Sequence, residues 1–280
     1  MRSIHEEFAQ KAGKALELVR AGRPLVHHIT NMVVMNDTAN VTLHVGALPV
    51  MAHAPQEVAE MTGLAGALVL NIGTLTSEWI ESMLIAGRMA NEKGIPVVLD
   101  PVGAGATGLR TETSLQLLRE LQIAVLRGNA GEIGALSGAG GEVRGVESIR
   151  GLDDPAAIAM ALAVKYRTVV AITGARDILS DGERVLGVDN GHPLLSTNTG
   201  TGCMSTAVIG AFCAVGKDYL TASAAALACY GLAAENAAKD AKGPASFKVA
   251  LLDSLYNMTP ADLCKGARII DLTGKMTGGI

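Results

Sequence analysis

Six short apolar runs recur as far as residue 174, each closed by polar or glycine residues. They are PLVHHI (24–29), ALPVMA (47–52), GALVLNIG (66–73), IPVVLD (95–100), IAVLRGN (123–129) and TVVAITG (168–174). Runs of this length that are apolar at successive positions, not alternate ones, are strands covered on both faces. Between them lie segments of helical period such as SEWIESMLIAGRMANEKG (77–94) and TSLQLLRELQ (113–122). The second begins with Thr113-x-x-Gln116, a capping-box pattern, which predicts the helix start at Thr113. Strands joined by helices need crossover connections, so the alternation predicts an α/β chain: a mostly parallel central sheet covered by helices on both faces. The weakly patterned DILSDGERVLGVDNGHPLLSTN (177–198) adds a few antiparallel edge strands, and only helices follow, through about Cys264. No Pro/Ser-rich linker and no internal repeat divides the chain, which predicts a single domain over 1–280. The glycine-rich SGAGGEVRGVESIRG (137–151) reads as a solvated excursion.

Composition closes off several function classes. Hydrophobic residues make up 49% and charged residues 18%, enough for a substantial core. Lys+Arg 23 against Asp+Glu 27 leaves a net charge of −4, and only 3% of residues are aromatic. A basic groove with stacking platforms is therefore excluded, and with it a nucleic-acid partner. The cysteines Cys203, Cys213, Cys229 and Cys264 show no CxxC spacing, which reads as free thiols in a reducing cytosol. The N-terminus, MRSIHEEFAQKAGKALELVR, reads as an amphipathic helix with Ile4, Phe8, Ala12, Ala15 and Val19 on one face. It lacks the apolar core of a signal peptide. LTASAAALACYGLAA (220–234) is shorter than the ~20 residues a membrane span needs and reads as a buried helix. The expectation is a soluble, cytoplasmic protein with no membrane association.

In open parallel sheets, ligands collect beyond the carboxyl ends of the strands. Just past the six runs stand Thr30-Asn31, Asn71, Asp100-Pro101, Arg127-Gly128-Asn129 with Glu132, and Thr173-Gly174. Two carboxylates, an arginine, amides and a hydroxyl suit a polyphosphate with a divalent metal. Taken singly, Asp100 also reads as a turn cap and Glu132 as first-turn helix charge; their joint placement favours the functional reading. Gly103-x-Gly105-x-x-Gly108 matches a dinucleotide fingerprint. It follows the fourth strand and Asp100-Pro101, and the predicted helix starts beyond it, so a mobile glycine loop near phosphates fits better. GxxxxGK[ST], HExxH and GxSxG are missing. His27 and His28 point to opposite faces of a strand and cannot share one metal without distortion. In NTGTGCMSTAVIGAFCAVG (198–216), glycines lead through Cys203 into an apolar helix. A helix start there binds an anion, presents an activated thiol, or only turns a corner.

The ordered segments VHHITNMVVMNDTAN, LPVMAHAPQEV, GALVLNIGTL, IPVVLDPVGAGAT, LRGNAGEI, VVAITG, TGTGCMST and GAFCAVG closely resemble the hydroxyethylthiazole kinases of thiamine salvage. The resemblance runs from about residue 24 to residue 250. It implies a ribokinase-like three-layer sandwich. It also implies ATP-dependent, Mg²⁺-assisted phosphorylation of the hydroxyl of 5-(2-hydroxyethyl)-4-methylthiazole, and a homotrimer with its sites at the subunit contacts. Position by position it implies Arg127, Thr173 and Asn31 at ATP, Asp100 and Glu132 at the metal and phosphates, and Met51 and Gly200 at the thiazole. Cys203 stands where ribokinase-like sugar kinases usually carry an aspartate base. The expectation is that Gly200, Gly202 and the amides around Cys203 form an anion hole. The thiol then acts as a weak base, or orients the alcohol. Other readings are a kinase of another small alcohol on the same fold, a cysteine hydrolase or acyltransferase using Cys203 with a histidine, a dinucleotide oxidoreductase, and a non-catalytic descendant.

Overall fold

The computed structural model describes residues 4–138 and 154–274. Within them the six apolar runs become parallel strands: β1 (Leu25–Ile29), β2 (Leu48–Met51), β3 (Ala67–Asn71), β4 (Val97–Asp100), β5 (Val125–Asn129) and β6 (Val169–Thr173). Three antiparallel strands extend the sheet: β7 (Asp177–Ser180), β8 (Val185–Val188) and β9 (Ile269–Asp271). The order is β2-β1-β3-β4-β5-β6-β7-β8-β9. The edge strands β7 and β8 follow the sequence expectation; β9 comes after the helices expected through about Cys264, where the sequence reading made no prediction. Its Ile269 is fully buried against β8, so the closing strand is made by a single core side chain and backbone pairing.

Side chains alternate between two helical layers because successive strand residues face opposite ways. Val26, Val69, Val98, Val125 and Val169 pack under α1 (Ile4–Gly22), α2 (Met35–Val45), α8 (Thr201–Cys213), α9 (Tyr219–Asp240), α10 (Pro244–Asn257) and α11 (Pro260–Gly266). Leu68, Leu70, Leu99, Leu126 and Val170 pack on α3 (Val58–Leu64), α4 (Ser77–Lys93), α5 (Gly108–Glu120), α6 (Ala130–Gly138) and α7 (Pro155–Tyr166). His27 and His28 take the two sides as expected. His27 bonds Thr62 Oγ1 at 2.9 Å and the Ala52 carbonyl at 2.8 Å, while His28 meets Thr42 at 3.3 Å. Both are core histidines. Most of the 137–151 excursion lies outside the described residues. None of the helices among the described residues is long and apolar enough to cross a membrane.

One helix start departs from the sequence expectation. The cap is Thr107, whose hydroxyl accepts the Arg110 N–H, and α5 begins at Gly108. Thr113 lies inside the helix and is only 3% exposed. The capping-box spacing at Thr113 is thus a coincidence of two core-facing and surface-facing side chains on one helix.

Candidate active site

The carboxyl ends of β1, β3, β4, β5 and β6 converge on the first turn of α8. In register, Asn71 pairs with Asp100 and Asn129 with Thr173, so residues far apart in the chain end in one row. Asn31 Nδ2 donates to Asn71 Oδ1 at 2.8 Å, and Asn71 Nδ2 donates to Asp100 Oδ2 at 2.9 Å. Both amides also point at the Cys203 sulfur, Asn71 at 3.2 Å and Asn31 at 3.6 Å. Thr206, one turn further along α8, donates to the same Asp100 Oδ2 at 2.9 Å. Asp100 has no exposed surface. Burial pushes its carboxyl up to about 6, with Arg127 pulling it down and Glu132 pushing it up.

Arg127 sits beside this cluster. Its Nη2 donates to Thr173 Oγ1 at 2.7 Å, and its Nη1 lies 3.8 Å from Asp100 Oδ1, too far for a hydrogen bond. Among the described residues, Asp100 Oδ1 and Arg127 Nε are buried without a hydrogen-bond partner. Such atoms are costly to leave unpaired and mark a place made for something else. Glu132 is used differently. Its Oε1 accepts the Gly103 N–H and its Oε2 the Asn129 N–H, both at 2.9 Å, so it ties the β4 and β5 loops together.

The α8 start explains its glycines. Gly200 has φ +90°, a conformation L side chains rarely adopt, and a Cβ there would also lie 2.5 Å from Val34 Cγ1. A Cβ on Gly202 would lie 2.8 Å from Arg127 Nη1, so the guanidinium rests directly on the helix backbone. The first N–H groups of a helix have no partner within it, and with Arg127 alongside they suit an anion. A helix end by itself lowers the pKa of a thiol placed at it. Burial outweighs it, and the neighbouring Asp100 adds to the effect: the thiol is pushed up to about 11, with the two amides and Arg127 opposing. Cys203 is a neutral thiol at neutral pH.

A cleft of about 690 Å³ opens from Arg127, Thr173 and Gly202 towards Asp177, Asn190 and His192. Tyr230 and Gly231 of α9 also line it. It has room for a nucleotide. Met51 stands elsewhere, half-buried at the end of edge strand β2 beside His28, and does not line this cleft. The sequence reading missed Thr206, Asp177 and Tyr230. Thr206 carried a signal, three residues after Cys203 and so on the same helix face. Tyr230 also carried one, as a phenol in the middle of an alanine-rich helix.

The rival chemistries lose their geometry here. The Cys203 sulfur is held by the amides of Asn31 and Asn71 and lies against Asp100, with no histidine bonded to it among the described residues. The nearest histidine in sequence, His192, uses Nδ1 to accept the Leu194 N–H. In the glycine loop, Gly103 N–H is held by Glu132 and Gly105 N–H by Thr111 Oγ1 at 2.9 Å, so neither is free for a pyrophosphate. The last glycine does open a helix, against the sequence expectation, but the loop before it is closed on itself.

Comparison with known proteins agrees with this geometry. The chain is 67% identical over 262 residues to a hydroxyethylthiazole kinase of Roseiflexus sp. (strain RS-1), covering 94% of this chain and 97% of that one. The solved structure of a hydroxyethylthiazole kinase from Pyrococcus horikoshii OT3 superposes with a TM-score of 0.86 at 49% identity, over 93% of this chain and 98% of that one. A ribokinase-like superfamily protein from Enterococcus faecalis V583 shares the fold with a TM-score of 0.65 at 12% identity, over 93% of this chain and 97% of that one. The fold is ribokinase-like. The sequence model of the Hydroxyethylthiazole kinase family matches residues 16–261, and the chain belongs to that family.

Proposed function

We propose that this protein transfers the γ-phosphoryl group of ATP to the hydroxyl of 5-(2-hydroxyethyl)-4-methylthiazole, releasing ADP and serving thiamine biosynthesis by salvage. The observation that carries the reading is the convergence of Asp100, Asn71, Arg127 and the α8 turn, of which Arg127 and Gly202 line one nucleotide-sized cleft. The alcohol oxygen forms a bond to the γ-phosphorus as the bond to the β-phosphate oxygen breaks, and the hydroxyl proton passes to solvent. Such a transfer depends mainly on positioning and charge stabilisation. Arg127 and Thr173 bind phosphate oxygens, with Asn31 in the same region. Gly200, Gly202 and Cys203 present helix N–H groups to the group in flight. Met51 and Gly200 border the thiazole. Cys203, protonated at neutral pH, orients the alcohol. General-base help is typically worth ~10²–10⁴-fold, so a slow enzyme is the consequence.

Mg²⁺ is part of this reading, and the residues suit it. Asp100 Oδ1 is a buried carboxylate oxygen without a hydrogen-bond partner among the described residues. No group of three or more His, Cys, Asp or Glu side chains forms a cage among them. Mg²⁺ binds through one or two carboxylates plus waters and substrate phosphates, which matches that donor set. Asp100 would hold the ion directly and Glu132 through water. The ion would neutralise charge on the transferring phosphates.

The reading includes one kinase domain over 1–280, a homotrimer, and a cytoplasmic location. Exposed Met32 (62%) and Val33 (65%), next to Asn31, support a site completed by a neighbouring copy. The test is ADP release with the thiazole alcohol against a panel of small primary alcohols. A kcat/KM highest for the thiazole supports the assignment. A higher value for another alcohol moves it to a different acceptor on the same fold.

A further inference from the structure

The cleft holds a second buried donor that the chemistry so far does not use. Tyr230 is 4% exposed, and its hydroxyl has no hydrogen-bond partner among the described residues. Its place in the fold is tightly set. It lies on α9, which packs along α8, and the next residue, Gly231, approaches Asn190 so closely that a Cβ there would lie 2.5 Å from the Asn190 backbone, which fixes the helix at this point. Tyr230 lines the cleft together with Arg127, Thr173, Gly202 and Ser205. Arg127, Cys203 and Asp37 all lie near enough to bear on the phenol.

A phenylalanine would fill the same volume without burying a bare hydroxyl, which is costly when unpaired. The hydroxyl is thus unfavourable in the empty protein and becomes favourable when an acceptor enters. The groups around it say which acceptor. Arg127 Nε is also buried without a partner among the described residues, and the α8 turn presents N–H groups. A surface of converging donors takes an acceptor-only, anionic group. We infer that Tyr230 is a phosphate-binding residue of the nucleotide cleft, its O–H donating to a phosphate oxygen of ATP beside Arg127. The inference rests on the cleft being the ATP site.

The test is Tyr230→Phe, compared with wild type in three measurements: steady-state kinetics, calorimetric binding of a non-hydrolysable ATP analogue, and thermal melting with and without that analogue. A hydrogen bond to a charged group corresponds to roughly 10–100-fold in affinity. The variant should lose about that factor in kcat/KM for ATP, with the KM for the thiazole unchanged. Its unliganded Tm should equal or exceed that of wild type, while the rise produced by the analogue shrinks. A merely structural hydroxyl would lower the unliganded Tm and leave nucleotide affinity alone, which overturns the inference. So does a variant whose only change is in the KM of the alcohol, since the phenol then serves the acceptor. Failure of the underlying reading looks different: wild-type protein itself would neither bind the analogue nor release ADP.

Discussion

Replacing Asp100 by Asn should make the metal-free protein more stable and the enzyme far less active. Asp100 is wholly buried, and burial holds its carboxyl at about 6 against an ordinary value of 3.8. The folded protein therefore binds this proton more tightly than the unfolded chain does. Its ionised form is a liability to folding, fully present above pH 6 and relieved as pH falls towards 3.8. About two pKa units at 1.36 kcal/mol each give about 3 kcal/mol at pH 8 and roughly half that at pH 5. Asn keeps an oxygen to accept from Asn71 and Thr206 and carries no charge, so it should recover up to that amount. For a chain of this size the gain is a Tm higher by roughly 5 °C at pH 8. Melts of both proteins in EDTA at pH 8 and pH 5 measure it directly. Activity should fall at least roughly 10–100-fold, as for disrupted metal-binding carboxylate systems. A variant less stable than wild type at pH 8, or a difference independent of pH, would refute the reasoning.

Cys203→Ser should keep kcat within about tenfold of wild type, with parallel pH profiles from 6 to 9, because the thiol is pushed up to about 11 and transfers no proton there. A basic limb present only in wild type would contradict this. Arg127→Lys loses the planar fork that reaches Thr173 and lies over Gly202. It should cost roughly 10²-fold in kcat/KM for ATP, read by steady-state kinetics. Glu132→Gln exchanges one of two backbone-accepting oxygens for an amide facing an N–H donor. Denaturant unfolding should show a loss of about 1–3 kcal/mol.

The strands and their ends were legible in the sequence because a strand buried on both faces leaves an unbroken apolar run with an abrupt polar stop. Asp100, Arg127 and Thr173 stood out for that reason. Their mutual geometry was not legible. That Asn71 bonds Asp100 follows from β3–β4 register, and that both meet Cys203 follows from how α8 crosses the sheet. The α5 start was misread because Thr113-x-x-Gln116 has the right letters and Thr107 lacks the Glu or Gln partner. Whether the helix end lowers the Cys203 thiol was left open by the sequence. Sequence shows a helix start but not the burial beneath it, and burial is the larger effect here. Tyr230 was overlooked because an apolar helix hides which of its side chains reaches a cleft.

The most direct test is mass spectrometry of the product formed by purified protein with ATP, Mg²⁺ and 5-(2-hydroxyethyl)-4-methylthiazole, beside an EDTA control. The account predicts a phosphate ester of the alcohol in amounts equal to the ADP released, and none with EDTA. ATP consumed with no ester formed, or ester formed equally well in EDTA, would contradict it.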